Sequence, residues 1–467
     1  MDYIAPPIFG VILTAGLLYF LSKKKKKIWV LWGFFIFYGT TFAFVGDLTG
    51  IGNFFINALA FLVSLPLFYV PYALYGLYSK YDSFLYTLIF PTSVVMMEFV
   101  ATPLRLSPLM NIAYRFFYCT PIIQCASLIG AAGLSFIITW FIASTVTMIT
   151  RKFATRYIVA TVLSATLLLV AIIYGAVRLN NTTESSKYIK AAWATGPEMF
   201  MEDGEWQFLP YEQYLDTFME TSGEAAERGA ELLIYSEEAF TIEADMREEF
   251  LDVVSDRAKE LGLAMLVGVD AEVDEGRQNV IYYYDENGEQ KGYYVKRMVI
   301  PIVETGYNRG DGEILQCEET FECGVTKVAA AICYDGNFGL YARRMDDDAE
   351  VYLYPSWDWS AIENMHTMIA GYRAVENGVT LVKSTTHGRS VMYDKYGRIL
   401  FETHTDDGFG KVYNVDIPCD NTETFYERNG LIIDVVFVVC AVILITLASI
   451  GVIIAGNKRE NESEKKE

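Results

Sequence analysis

Three residues in this chain have types and positions suited to acyl chemistry: Glu237 in LLIYSEEAF, Lys296 in GYYVKRMVIP and Cys333 in GVTKVAAAICYDGNF. Each ends a short apolar run that reads as a strand: Leu232–Tyr235, Gly292–Val295 and Val325–Ile332. Ligands of open α/β sheets bind outside the carboxyl ends of strands, so these are good places for reactive groups. A carboxylate that takes the thiol proton makes the better nucleophile. An ammonium beside the thiol lowers its pKa and stabilises the oxyanion that develops on an attacked carbonyl. A backbone N–H after Cys333 would be a second donor. Taken singly, each residue has a plainer reading: a buried structural cysteine, a helix N-terminal charge, a surface lysine. By composition alone Glu238 is as good a carboxylate as Glu237.

The elements that must position these groups lie between Tyr188 and Thr403. Strands are predicted at Tyr188–Trp193, Leu232–Tyr235, Leu263–Val269, Asn279–Asp285 and Lys291–Lys296, then at the Cys333 run, Val351–Pro355, Thr380–Ser384, Arg389–Asp394 and Arg398–Thr403. Helices are predicted at Pro210–Arg228, Met246–Leu261, near Gly339–Met345 and at Ala361–Asn377. Asp394–Gly397 reads as a hairpin turn. Strands alternating with helices, with hairpins inserted, imply an α/β sandwich.

The flanks of this region differ sharply from it. The chain is 52% hydrophobic over 467 residues, with mean hydropathy +0.24, and the apolar residues concentrate in Ala5–Val177 and Leu431–Ala455. Runs long enough to cross a bilayer are expected at Ala5–Leu21, Ile28–Val45, Ile51–Leu77, Phe84–Thr102, Phe116–Thr150 and Tyr157–Val177, with a closing span at Leu431–Ala455. The 116–150 run is long for one crossing and is expected to begin with a re-entrant or interfacial piece near Pro121. Met1–Leu21 lacks the order of a cleavable signal, because its lysines follow the apolar run. The boundaries expected are a membrane bundle of about six spans (1–178), a globular domain (179–430), a transmembrane helix (431–455) and a charged tail (456–467). The basic loops at Lys23–Lys27 and at Arg151, Lys152 and Arg156, with the basic residues after the last span, place those segments in the cytoplasm. The same count puts 178–430 on the extracytoplasmic face of a cell membrane.

A formal charge of −21 argues against nucleic acid as a partner. Seven cysteines include no CxxC pair, and the three histidines are scattered, so no metal site is expected. Cys317 and Cys323 are spaced so that a disulfide is conceivable in an oxidising compartment.

The motifs around these residues resemble the nitrilase superfamily, whose members carry a Glu-Lys-Cys triad, and within it the apolipoprotein N-acyltransferase family. Tyr235-Ser236-Glu237-Glu238-Ala239 is similar to the family's aromatic-Pro-Glu-x-Ala segment, which selects Glu237 over Glu238. Tyr294-Val295-Lys296 through Pro301 to Glu304 resembles its Tyr-x-Lys-x-x-Leu-Val-Pro-Phe-Gly-Glu segment. Cys333-Tyr334-Asp335 resembles Cys-Tyr-Glu. His366 with Arg373-Ala374 and Glu376-Asn377-Gly378 resembles a family helix, and Tyr426, Arg428 and Gly430 resemble a pattern that precedes the last span. The chain departs from the family at Ser236 (usually Pro), Ile302-Val303 (Phe-Gly), Asp335 (Glu), and Thr386 and His387 (asparagines).

The resemblance implies an α-β-β-α sandwich domain joined to a multi-span helical bundle. It implies Glu237, Lys296 and Cys333 as catalytic residues, with Glu304, Tyr334 and Asp335 in support and no cofactor or metal. The implied reaction moves a fatty acyl group from a membrane phospholipid, through a cysteine thioester, to the N-terminal amine of a diacylglyceryl-cysteine lipoprotein. Two alternatives stand beside it: a membrane-tethered amidase or hydrolase with water as acceptor, and a non-catalytic lipoprotein-binding protein.

Overall fold

The computed structural model describes residues 5–464 apart from 24–68, 81, 104, 106–110, 183, 198–199, 203–204, 208, 274–275, 302, 344–347, 359–361 and 405–408. The chain divides into two compact units, residues 1–181 with 429–467, and residues 182–428.

The first unit is helical. Three described helices are long and apolar enough to cross a membrane: Ala126–Thr150, Thr155–Asn180 and Phe425–Gly451. Ala5–Lys23 and Tyr86–Ala101 are also apolar helices, at two of the expected spans. The expected spans Ile28–Val45 and most of Ile51–Leu77 lie outside the described residues. The long 116–150 run is interrupted: a short helix, Thr120–Ile123, carries Pro121 in its first turn, and the long helix starts afresh at Ala126. Proline is compatible with a helix start, where its missing N–H costs nothing. The long last helix begins on a reciprocal cap. Thr424 Oγ1 accepts the Glu427 N–H at 3.0 Å, and Glu427 Oε2 accepts the Thr424 N–H at 3.1 Å.

The second unit contains two main sheets. Its strands are β1 (Tyr188–Ala194), β2 (Phe200–Glu202), β3 (Glu205–Gln207), β4 (Leu232–Tyr235), β5 (Phe240–Ile242), β6 (Ala264–Val273), β7 (Gly276–Tyr284) and β8 (Gln290–Val295). They continue as β9 (Leu315–Phe321), β10 (Gly324–Ala330), β11 (Val351–Leu353), β12 (Thr380–Lys383), β13 (Arg389–Tyr393), β14 (Ile399–His404) and β15 (Val412–Pro418). One sheet runs β15-β1-β4-β6-β7-β8, with β5 also pairing β6; the other runs β14-β13-β12-β11-β10-β9, and β2 and β3 form a separate ribbon. The sheets face each other. Trp193 of β1 packs on Phe401 of β14 and donates its indole N–H to Thr403 at 3.1 Å.

Helices cover the outer faces, as amphipathic sequence demands. Helix Tyr211–Glu227 buries Tyr214, Phe218, Thr221, Ser222 and Ala225, one stripe at helical spacing. Phe218 meets Tyr235, Phe240 and Phe250 at ring distances of 5.8 Å. Helix Arg247–Leu261 buries Phe250, Val254 and Ala258 and ends on Gly262 at φ 59°, a left-handed cap that favours glycine. Helix Glu363–Asn377 is buried from His366 to its end. The result is an α-β-β-α sandwich.

Several sequence expectations change in detail. The strand expected to run through Ile332 ends at Ala330, and Cys333–Asn337 is a 3-10 turn. Pairing toward β11 persists as isolated bonds, Ala331 N–H to the Leu353 carbonyl at 3.2 Å and Cys333 N–H to the Pro355 carbonyl at 2.9 Å. The chain then turns out at Cys333. Strands β2, β3, β5, β9 and β15 were not anticipated. Cys317 and Cys323 are free thiols, with Cys317 opposite Val328 in the β9–β10 pair.

Candidate active site

Glu237 follows β4, Lys296 follows β8 and Cys333 follows β10, so two sheets deliver the three groups. All three are buried. Lys296 Nζ donates to Glu237 Oε1 at 2.7 Å and also to Glu304 Oε1. Glu304 is fixed in turn by accepting the Ile300 N–H at 2.6 Å. Burial opposes the charge of Lys296, but Glu237 and Glu304 overcome it and hold the ammonium well above its ordinary range. The same field includes Cys333. Burial and the Glu237 carboxylate push the thiol well above its ordinary value, against the pull of Lys296. The resting group is therefore a protonated thiol, and it needs a base to become a nucleophile. Among the described residues Glu237 Oε2 is buried without a hydrogen-bond partner, so a base oxygen is available.

Backbone conformation reinforces this geometry. Cys333 sits at φ 46° and Glu238 at φ 50°, both left-handed conformations for residues with a Cβ. Such positions cost roughly 1–3 kcal/mol each and cluster at functional sites. Gly268 makes room for the Glu237 segment, because a Cβ there would come within 2.1 Å of the Ser236 carbonyl oxygen. Gly310 does the same beside Lys296: a Cβ would meet the Val295 carbonyl oxygen at 2.2 Å, and its N–H donates to the Lys296 carbonyl at 3.0 Å.

Asp335 ties the cysteine turn to the lysine loop. Its carboxylate accepts the Met298 N–H at 2.7 Å, the Tyr294 hydroxyl at 2.9 Å and the Ile332 N–H at 3.2 Å. Burial pushes it up to about 6 despite these donors. Tyr334 is buried and packs edge-on against Phe338, ring to ring at 5.2 Å. Glu238, the competing carboxylate, lies in the same nest, its carboxyl oxygen within 4.8 Å of those of Glu237 and Glu304. Burial, with Asp270 and Glu237 nearby, raises it well above the carboxylate range.

Some site residues carried little signal in the sequence. In the sequence Asn279 marks only the start of a strand. Its side-chain amide donates to Glu237 at 2.7 Å and to Glu238 at 2.9 Å, and its carbonyl accepts the Lys296 N–H at 2.8 Å. Ser236 and Thr386, two of the departures from the family pattern, touch each other. The Thr386 hydroxyl lies 2.8 Å from that of Ser236 and donates to the Glu237 carbonyl at 2.6 Å. The two changes form one unit behind Glu237. His387 stacks on Trp357 with centroids 5.5 Å apart.

A second charged group lies by the thiol. Asp358 Oδ1 is 2.5 Å from His366 Nδ1, and Asp358 Oδ2 accepts Lys383 Nζ at 2.5 Å; all three side chains are buried. Metal-donor atoms of Cys333, Asp358 and His366 fall within 4.8 Å of one another. In this nest, as around Glu237 and Glu304, a lysine already supplies the cation.

Comparison with known proteins agrees with this architecture. Residues 206–423 match the family described as carbon-nitrogen hydrolase, and residues 4–144 match the apolipoprotein N-acyltransferase N-terminal domain. An apolipoprotein N-acyltransferase from Rickettsia prowazekii (strain Madrid E) is 24% identical over 442 residues, covering 84% of this chain and 85% of that protein. One from Bradyrhizobium diazoefficiens is 25% identical over 362 residues, covering 69% of this chain and 66% of that protein. An amidase from Nesterenkonia sp. superposes with a TM-score of 0.43 at 21% identity, over 52% of this chain and 93% of that one. Residues 206–423 thus belong with the carbon-nitrogen hydrolases, and with the N-terminal match the chain is similar over most of its length to apolipoprotein N-acyltransferases.

Proposed function

We propose that this protein is a membrane-bound lipoprotein N-acyltransferase that works through Cys333. The observation that carries the reading is the buried Lys296–Glu237 contact beside a protonated Cys333, within a chain that also matches the acyltransferase N-terminal domain. In the first half-reaction Glu237 takes the Sγ proton, and sulfur attacks the ester carbonyl of a phospholipid. Lys296 Nζ, with the backbone N–H that follows Cys333, stabilises the oxyanion. The C–O bond breaks, and the leaving alkoxide takes the proton from Glu237 and departs as lysophospholipid. In the second half-reaction the N-terminal amine of a diacylglyceryl-cysteine lipoprotein attacks the thioester. The C–S bond breaks and sulfur regains its proton through Glu237.

The roles proposed for the other residues follow from their contacts. Glu304 holds Lys296, Asp335 holds the Lys296 loop against the cysteine turn, and Tyr334 packs beside the thiol. The division proposed is a multi-pass bundle at 1–178, a catalytic domain at 179–430 on the extracytoplasmic face, a closing helix at 431–455 and a cytoplasmic tail at 456–467. The basic loops support this orientation. Both lipid substrates reside in the bilayer, so anchoring their catalyst there raises effective concentration.

Mass spectrometry of a lipoprotein N-terminus, made with and without the protein, tests the function. An amide-linked third acyl chain is expected only with it. Free fatty acid with no amide product would instead support a hydrolase that uses water, and neither product would support a binding protein. Topology is tested separately. A cysteine placed at Asn287 should react with a membrane-impermeant thiol reagent in cells stripped of outer barriers; protection there would reverse the orientation.

A further inference from the structure

Counting protons through the acyl-transfer reading, on which this inference rests, leaves one without a carrier. The first half-reaction is balanced by Glu237 alone, since the proton taken from sulfur goes to the leaving alkoxide. The second is different. An α-amine has an ordinary pKa of about 7.7–8.0, so near neutral pH much of the acceptor arrives as ammonium. Amide formation removes two protons from that nitrogen, and the departing sulfur takes back only one. Water as acceptor makes no such demand before attack. Transfer to an amine therefore calls for a second base within reach of the thioester carbon.

The Glu237 nest is poorly placed to supply it. Lys296 is engaged by two carboxylates, and burial raises Glu238 well above the carboxylate range. The other side of the thiol differs. A ring nitrogen of His366 lies within 4.8 Å of Cys333 Sγ. Its Nδ1 faces the Asp358 carboxylate at 2.5 Å. The Lys383 ammonium and His366 hold Asp358 ionised against its burial, and so Asp358 is an acceptor. In the neutral ring that contact places the proton on Nδ1 and the lone pair on Nε2. Among the described residues Nε2 makes no hydrogen bond.

We propose that His366 is a second catalytic base, which takes the first proton from the acceptor ammonium so that a neutral amine attacks the Cys333 thioester. Asp358 and Lys383 are positioning residues that set the ring's tautomer and direction. The amine nitrogen bonds to the carbonyl carbon as the C–S bond breaks. Its second proton passes by way of Glu237 to sulfur, and the proton on His366 is released to solvent with the product.

The test follows the two half-reactions separately in the full-length protein in detergent–phospholipid micelles. The lysophospholipid burst reports acylation; transfer of the acyl group to a diacylglyceryl peptide with a free N-terminus reports discharge. For His366→Gln the burst should stay within about threefold of wild type while discharge slows by about 10²–10⁴-fold, the usual size of a general-base contribution. Imidazole added to His366→Ala should restore part of the discharge rate, which a packing role would not do. Asp358→Asn, close in shape, should slow discharge more than the burst. Equal loss of burst and discharge in both His366 variants, without imidazole rescue, would overturn the proposal, as would wild-type discharge in His366→Gln. A wild-type protein that gives no burst would overturn the acyl-transfer reading itself, and this inference with it.

Discussion

The two charged nests that flank Cys333 are built from similar parts and differ in balance. On one side three carboxyls, Glu237, Glu238 and Glu304, crowd around the single ammonium of Lys296. On the other, one carboxylate, Asp358, is shared between Lys383 and His366. The first nest has more acid than its cation can neutralise: burial and its acidic neighbours raise Glu238 well above the carboxylate range, and Glu237 has an oxygen without a partner among the described residues. Its surplus suits it to accept a proton from sulfur and hand it on. In the second nest the carboxylate is engaged by Lys383 and His366, so among the described residues the imidazole is its remaining proton acceptor. The sheets enforce the difference: β4 and β8 end in the first nest, while β12 and helix Glu363–Asn377 supply the second.

Four sets of substitutions would break or sharpen this contrast, in decreasing order of effect. Cys333→Ala should abolish acyl-enzyme formation, a loss on the order of 10⁶-fold as for other covalent nucleophiles. Cys333→Ser should cripple the cycle too, since an oxygen ester is the poorer acyl donor to an amine.

Removing either lysine should cost about 3–5 kcal/mol of stability, because each leaves buried carboxylates facing each other or underpaired. The kinetic outcomes should differ. Lys296→Met should lose the lysophospholipid burst, whereas Lys383→Met should keep it. Thermal unfolding measured beside burst amplitude separates the two, and equal loss of burst in both variants would erase the contrast between the nests.

Glu237→Gln should slow acylation by about 10²–10⁴-fold, and Glu238→Gln far less. The same Glu237 change should make Cys333 more reactive toward iodoacetamide at fixed pH. Burial and Glu237 both raise the thiol while Lys296 lowers it, so neutralising Glu237 removes one of the raising causes. Each unit of fall in thiol pKa gives about tenfold more thiolate at neutral pH. Slower alkylation in Glu237→Gln would reverse the sign and contradict the assignment of Glu237 as the opposing charge.

Thr386→Val should have the smallest effect, about 1 kcal/mol from the lost hydrogen bond to the Glu237 carbonyl. Combined with Ser236→Ala it should be less than additive, because the two hydroxyls touch. Full additivity in denaturant unfolding would show that they act separately.

The first nest was legible in the sequence and the second was not, for physical reasons. Glu237, Lys296 and Cys333 each follow an apolar run, and a run that stops at a polar group marks a strand end on its own. Asp358, His366 and Lys383 come from a loop, a helix and a strand, and only folding brings them together. Asp358 sits in SWDWS, which has no periodicity to read, and His366 stands out only as part of a helix that resembles the family's, with nothing to tie it to the thiol. Likewise β9, LQCEETF, carries two adjacent acids at a sheet edge, Glu318 exposed and Glu319 buried, so hydrophobicity alone does not reveal it. The α-β-β-α layering was legible because helices such as Tyr211–Glu227 carry a clear buried stripe. The point where β10 ends was not, because the left-handed turn at Cys333 has no glycine to announce it.

The central claim is that Cys333 carries the acyl group between two lipids, and intact-protein mass spectrometry tests it most directly. Purified protein incubated with phospholipid alone should gain one acyl mass on Cys333 and release lysophospholipid in near-stoichiometric amount. Neutral hydroxylamine should strip the adduct, and a diacylglyceryl peptide with a free amine should discharge it as amide. No adduct before the peptide is added, or repeated turnover to free fatty acid without it, would contradict the account.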